Sequence, residues 1–161
     1  MEREKSVFLP VSVNITNKKI LIIGGGKEGL HKAVLLNRFT SEATVISPCF
    51  HEGFNVLPFK LVKKEYETRD IEEAFLVYVC TGNESLNARI KADAEKSGVL
   101  ANVCDNPVLC DFISPAIYKK ENVTIAVSSN ARNVYQSIGI RNQIKVLAEQ
   151  GDICLEIKAD D

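Results

Sequence analysis

Ile20-Leu-Ile-Ile-Gly-Gly-Gly-Lys-Glu-Gly29 is the stretch that decides the fold. Four consecutive apolar residues closed by a turn signal read as a buried strand, and the glycines that follow fall as Gly24-x-Gly26-x-x-Gly29 at the point where a helix opens. In that context each glycine has a task. The first permits a tight turn, the second lets the backbone approach a pyrophosphate, and the third allows close packing of helix on strand, while the N–H groups of the helix face the anion. A plain glycine turn joining strand to helix is the competing reading. Strand, spacing and position together favour a nucleotide. An acidic residue about 20 residues further on would hold the ribose hydroxyls of NAD, and it is absent. The next strand ends Val45-Ile-Ser-Pro-Cys-Phe50, offering Ser47 and backbone groups, with no Arg for a 2′-phosphate. The pattern supports a dinucleotide, with S-adenosylmethionine left open.

Further β-type runs recur on both sides of this motif: Ala43–Ser47, Lys60–Lys64, Leu76–Cys80, Ala101–Cys104 and Val123–Val127, with the first strand drawn as Lys19–Ile23. Between several of them lie helical patterns. Lys27–Phe39 carries Leu30, Ala33, Val34 and Leu36, and Glu84–Ser97 carries Leu86, Ile90 and Ala94 at four-residue intervals. Strand alternating with helix predicts a Rossmann-like, doubly wound parallel sheet of the α/β class. Val134–Gln150 predicts a last helix stopped by Gly151. Phe8-Leu-Pro-Val-Ser-Val13 is expected as a short edge strand, because Pro10 suits no central one.

Composition bounds the function. The 161 residues amount to roughly one domain with a short appendage. Twenty Lys and Arg against 21 Asp and Glu give a net charge of −1, so no global positive field recruits nucleic acid or a membrane surface. The longest apolar run, Phe75–Cys80, is far too short to span a bilayer, and no signal-peptide core follows Met1, so a cytoplasmic protein is expected. Five scattered cysteines, Cys49, Cys80, Cys104, Cys110 and Cys154, lack any Cys-x-x-Cys and read as buried reduced thiols. His31 and His51 have no ligand-spaced neighbours, so no metal site is expected.

Longer matches appear in order along the chain. They are Leu9-Pro-Val-Ser-Val-Asn-Ile-Thr-Asn-Lys-Lys-Ile-Leu-Ile-Ile-Gly-Gly-Gly26, His31-Lys-Ala33, Thr44-Val-Ile-Ser-Pro48, Thr81-Gly-Asn83 with Asn87, Ala101-Asn-Val-Cys-Asp105, Phe112-Ile-Ser-Pro-Ala116 and Ile125-Ala-Val-Ser-Ser129. Together they resemble the precorrin-2 dehydrogenase family, which includes the first module of siroheme synthase and is often bifunctional as a sirohydrochlorin ferrochelatase. The resemblance implies NAD-dependent oxidation of precorrin-2 to sirohydrochlorin by a homodimer. It implies an NAD-binding domain over 1–115 and a short helical dimerisation and substrate segment over 116–161. Gly24, Gly26, Lys27, Glu28, Gly29, Ser47, Pro48, Cys49 and Thr81 are then cofactor residues. Asp105 corresponds to the family's essential aspartate, implicated in dehydrogenation and in metal insertion.

A carboxylate there is chemically apt, because a proton must leave the tetrapyrrole along with the hydride. On the residues alone, Asp105 before Asn106-Pro107 reads instead as an Asx turn or helix cap. Ser128, Ser129, Arg132 and Arg141 are the expected substrate contacts, since a ligand with many carboxylates needs cations. Where the family has a glycine-rich segment after its serines, this chain has Asn130-Ala-Arg-Asn-Val134. Glycines there would allow backbone conformations and close ligand approach that Ala131 and Arg132 allow less easily. A nucleotide-sensing regulatory domain, or a relative that binds without catalysis, are the alternative functions.

Overall fold

The computed structural model describes residues 6–104 and 106–155. The chain divides into two compact units, one of Ser12–Phe112 and one of Ile113–Asp161 together with the N-terminal residues up to Val11.

In the first unit the order is β1 (Ile20–Ile23), α1 (Lys27–Leu36), β2 (Thr44–Ser47), β3 (Lys60–Lys63), β4 (Leu76–Val79), α2 (Glu84–Ser97) and β5 (Leu100–Val103). The five strands form one sheet in the order β3-β2-β1-β4-β5. All four pairings are parallel. Every residue of β1 and β4 is buried, as a central strand covered on both faces requires. Alternate side chains divide the core. Ile20, Ile22 and Tyr78 pack with Ala33 and Leu36 of α1 and with Phe54, while Leu21, Ile23, Val77 and Val79 pack with Ile90 and Ala94 of α2 and with Ile71. Each full burial of this kind is worth roughly 1.5–3 kcal/mol.

Local chemistry sets the helix limits. Asn83 caps α2 by accepting the Leu86 N–H at 3.0 Å, and Gly98, at φ 67°, ends it in left-handed backbone. α1 stops at Leu36, short of the expected Phe39, because the amides of Arg38 and Phe39 turn back onto the carbonyls of Leu35 and Leu36 in a tighter closing turn.

The second unit holds β6 (Ala116–Lys120), β7 (Val123–Val127) and α3 (Val134–Gln150). Asn133 caps α3 through the Gln136 N–H at 2.9 Å, and Gly151 closes it at φ 87°. Here two expectations are corrected. Val123–Val127 is not part of the parallel sheet: it pairs antiparallel with β6, Lys120 opposite Val123, across a two-residue turn at Glu121-Asn122. Two strands that close in sequence need no crossover and form a hairpin. The segment after residue 115 is therefore a hairpin plus a helix, and β6, ending in Lys119-Lys120, had no apolar run to announce it. Nor does Phe8–Val13 form an edge strand; the Phe8 N–H donates to Asn130 Oδ1 at 3.0 Å, and Leu9 stays 81% exposed.

The cysteines need a correction as well. β4 and β5 pair Val79 with Val103, so the next residues on each strand, Cys80 and Cys104, stand side by side with Cα atoms 5.2 Å apart and are joined as a disulfide. Cys49 and Cys154 are exposed, not buried, and Cys110 is half-buried.

Candidate functional site

The strand order reverses direction at β1, from which the chain steps outward to β2 and β3 on one side and to β4 and β5 on the other. Ligands of open parallel sheets bind in the crevice outside the carboxyl ends of the strands at such a point. The glycine turn leaves β1 there. Gly24 has φ +120°, and a Cβ on it would run into the carbonyl of Cys80 at the end of β4; a Cβ on Gly29 would run into the carbonyl of Gly24. Both positions exclude any other residue.

Gly26 is different. It is exposed, its backbone is extended (φ −80°, ψ −167°), and a Cβ on it would meet nothing within 4 Å. It is also the N-cap of α1, and no side chain caps the first-turn amides of that helix. Uncapped N–H groups at the positive end of a helix dipole, opening onto free space, fit a pyrophosphate. Lys27 and Glu28 flank the opening and are exposed, whereas Gly29 is buried beneath it.

The tip after β2 folds against the turn: the His51 N–H donates to the Gly25 carbonyl at 2.7 Å, and His51 Nδ1 accepts the Gly53 N–H at 3.1 Å. Ser47 is buried at 6% exposure, with Pro48 and Cys49 exposed beyond it. After β4, Thr81 is held by contacts to Asn83 and Asn87. Its hydroxyl donates to Asn87 Oδ1 at 2.6 Å, its N–H points at the same oxygen at 3.4 Å, and the Asn83 N–H donates to Thr81 Oγ1 at 3.2 Å.

Asp105, the expected catalytic group, lies outside the described residues. The segment that follows covers the free edge of β5. The Asp111 N–H donates to the Ala101 carbonyl at 2.8 Å, and its carboxylate accepts the Ala101 N–H at 2.9 Å and Lys91 Nζ at 2.6 Å. Cys110 Sγ receives the Val103 N–H at 3.2 Å, and burial pushes its thiol above the usual range.

Of the expected substrate contacts, all four fall in the second unit. Ser129 Oγ accepts the Asn133 N–H at 3.0 Å, and the Arg132 N–H donates to the Ser129 carbonyl at 3.0 Å. Between them Asn130 and Ala131 sit at φ 54° and 58°. Ser128 and Arg132 are exposed, while Arg141 donates to the Ile117 carbonyl at 3.0 Å and to Asn142 Oδ1 at 2.8 Å, tying α3 to β6.

Two features escaped the sequence reading. The role of Asn87 is invisible without knowing that the first turn of α2 folds back on Thr81, and the Cys80–Cys104 bond is visible only once β4 and β5 are known to be neighbours. The register of two adjacent strands ending in cysteine was the available signal.

A family model described as NAD(P)-binding matches residues 11–116 of this chain. The chain is 32% identical over 146 residues to a siroheme synthase of Psychrobacter arcticus, covering 88% of this chain and 27% of that protein. It is 32% identical over 147 residues to a siroheme synthase of Nitrosococcus oceani, covering 89% and 31%, and 36% identical over 124 residues to one of Ectopseudomonas mendocina, covering 76% and 27%. It thus spans less than a third of the length of these relatives. Among solved structures, SirC, precorrin-2 dehydrogenase, shares the fold with a TM-score of 0.74 at 17% identity, over 86% of this chain and 70% of that one.

Proposed function

Because this chain belongs to the NAD(P)-binding family, whose model spans residues 11–116, we propose that its nicotinamide cofactor is NAD and that it oxidises precorrin-2 to sirohydrochlorin. The observation that carries the reading is the opening at Gly26, an uncapped helix start with free space at the carboxyl edge of the sheet. Similarity to siroheme synthases over most of the chain supports the substrate class.

In this reading Gly24, Gly26 and Gly29 shape the pyrophosphate cradle, with Lys27 and Glu28 on its rim. Ser47, Pro48 and Cys49 border the adenosine ribose, and Thr81 borders the nicotinamide half. The nicotinamide supplies a hydride acceptor. Asp105 takes the proton that leaves the tetrapyrrole, and the same carboxylate serves metal insertion into the product as a second activity. Ser128, Ser129, Arg132 and Arg141 receive substrate carboxylates. NAD is preferred to NADP because Ser47-Pro-Cys-Phe50 has no cation to neutralise a 2′-phosphate. The partner is a second copy of this chain, docked through 116–161, where Val134, Tyr135 and Val146 are exposed.

The test is incubation of the purified protein with precorrin-2 and NAD while following the absorbance of sirohydrochlorin. Its appearance supports the reading. NAD binding without product would overturn the enzyme in favour of a nucleotide-sensing domain.

A further inference from the structure

Asn87 joins two parts of the crevice. The nitrogen of Thr81 lies 3.1 Å from where a Cβ of Gly24 would stand, so the residue after β4 abuts the first glycine of the turn. Thr81 is in turn fixed by Asn87, whose Oδ1 faces both its hydroxyl and its N–H, at 2.6 and 3.4 Å. A backbone N–H can only donate, so the atom it faces must be the amide oxygen. The orientation of the Asn87 amide is thereby settled, and its two-donor Nδ2 points away from Thr81. Among the described residues Nδ2 has no partner. Asn87 itself is half-buried in the first turn of α2, its N–H bonded to the Asn83 carbonyl at 2.8 Å.

A side chain spent only on the turn would need an acceptor and no donor. Aspartate would then serve as well, or better, because a carboxylate in the first turn of a helix is favoured by the dipole. An amide adds a neutral donor, of use where the neighbour is an anion.

We infer that Asn87 is a positioning and binding residue of the dinucleotide site, its Oδ1 holding Thr81 beside the glycine turn and its Nδ2 donating to a pyrophosphate oxygen. The inference rests on the dinucleotide reading of the Gly26 opening and assigns a residue to the side of the crevice opposite α1.

Asn87→Asp tests it, because that variant keeps the acceptor for Thr81 and replaces the donor with a negative charge. Its thermal stability should equal that of the wild type. Its affinity for NAD and for ADP-ribose, which keeps the pyrophosphate and lacks nicotinamide, should fall by about 10-fold or more, the loss of a hydrogen bond to a charged group. Thr81→Val should weaken NAD several-fold in the wild-type background and add nothing in Asn87→Ala, which lacks the acceptor that holds Thr81. Unchanged affinity of Asn87→Asp for both ligands would overturn the binding role, and loss for NAD alone would overturn the pyrophosphate assignment. Full additivity of Thr81→Val with Asn87→Ala would overturn the positioning role. If the wild type binds neither ligand, the dinucleotide reading itself falls, which the wild-type titration reveals separately.

Discussion

The carbonyl oxygen of Gly24 stands where a Cβ on Gly29 would have to go, while three residues earlier Gly26 looks onto open space. In the proposed dinucleotide site these two glycines of one motif are needed for different reasons, Gly29 by the protein's own backbone and Gly26 by the ligand. Gly29→Ala should lower stability by about 1–3 kcal/mol, the range of forced overpacking. Gly26→Val should leave the melting temperature within a degree or two of wild type, since its extended backbone suits a branched residue, and should abolish NADH binding. Thermal melts alongside fluorescence titration with NADH check both; a folded Gly26→Val that still binds would make the turn purely structural.

Ala131 occupies left-handed backbone at φ 58°, directly after Asn130 at 54°. Asparagine tolerates this region and alanine does not, at a cost of roughly 1–2 kcal/mol. Ala131→Gly should therefore stabilise the protein by about 0.5–1 kcal/mol once the greater freedom of glycine in the unfolded chain is deducted. Ala131→Val should do the opposite. Urea midpoints at constant m-value decide, and a destabilised glycine variant would show that this backbone is not held in the folded ensemble.

The parallel sheet was legible because its signals are local: unbroken apolar runs such as Ile20–Ile23, a glycine turn after the first of them, and asparagine and glycine at the ends of α2 and α3. Pairing partners are not local. Val123–Val127 has the same β-type run as the others, and only the closeness of Ala116–Lys120, two residues away, sends it into a hairpin. The edge-strand pattern at Phe8–Val13 failed since alternation of apolar residues says nothing about whether an edge is free to receive them. At the candidate site, the glycine turn between β1 and α1 could be read from spacing, whereas the contact of Asn87 with Thr81 depends on a helix folding back on the preceding loop. The covering of β5 by Asp111 depends in the same way on a chain reversal after Cys104.

The Cys80–Cys104 bond makes a count. Alkylation of the denatured protein without reductant, read by mass, should label the three cysteines outside the disulfide, Cys49, Cys110 and Cys154, and all five after reduction. Cys49, exposed beyond β2, should react faster than Cys110 in the native protein, and NAD should slow it. With its thiol pushed up by burial, Cys110 should react appreciably only as the pH rises past the ordinary thiol range. Closing 24 residues of separation, the bond should add about 3 kcal/mol in the chain-entropy picture. Five thiols labelled without reductant would refute it.

Tyr66 donates its hydroxyl to Asp93 Oδ2 at 2.9 Å, with both residues buried. Burial first, and then the Asp93 carboxylate, hold the phenol above its ordinary value of 10.0. A raised acid is kept neutral by the fold, so its stabilisation is complete below about pH 10 and is lost as pH climbs towards the folded-state value. Over that window the unfolded chain releases a proton that the native one keeps, and stability should fall by about 1.4 kcal/mol per pH unit from this group alone. Tyr66→Phe should cost about 1–2 kcal/mol at neutral pH and remove that increment of pH dependence. Denaturation at pH 7, 9 and 11 for both proteins measures it; parallel curves would exclude Tyr66.

For Asp105 the proposed proton acceptance separates from turn formation by one substitution. Asparagine keeps the size of the side chain and forms an Asx turn equally well, yet cannot take a proton at neutral pH. Asp105→Asn should thus lower sirohydrochlorin formation by roughly 10²–10⁴ while leaving thermal stability and NAD affinity unchanged, because the proposed pyrophosphate cradle lies at Gly24–Gly29. If the carboxylate only shapes the chain before Pro107, the asparagine variant should be fully active and Asp105→Ala should lose about 0.5–2 kcal/mol of stability instead. Product formation and melting temperature for the two variants distinguish the roles, and an active asparagine variant removes Asp105 from the chemistry.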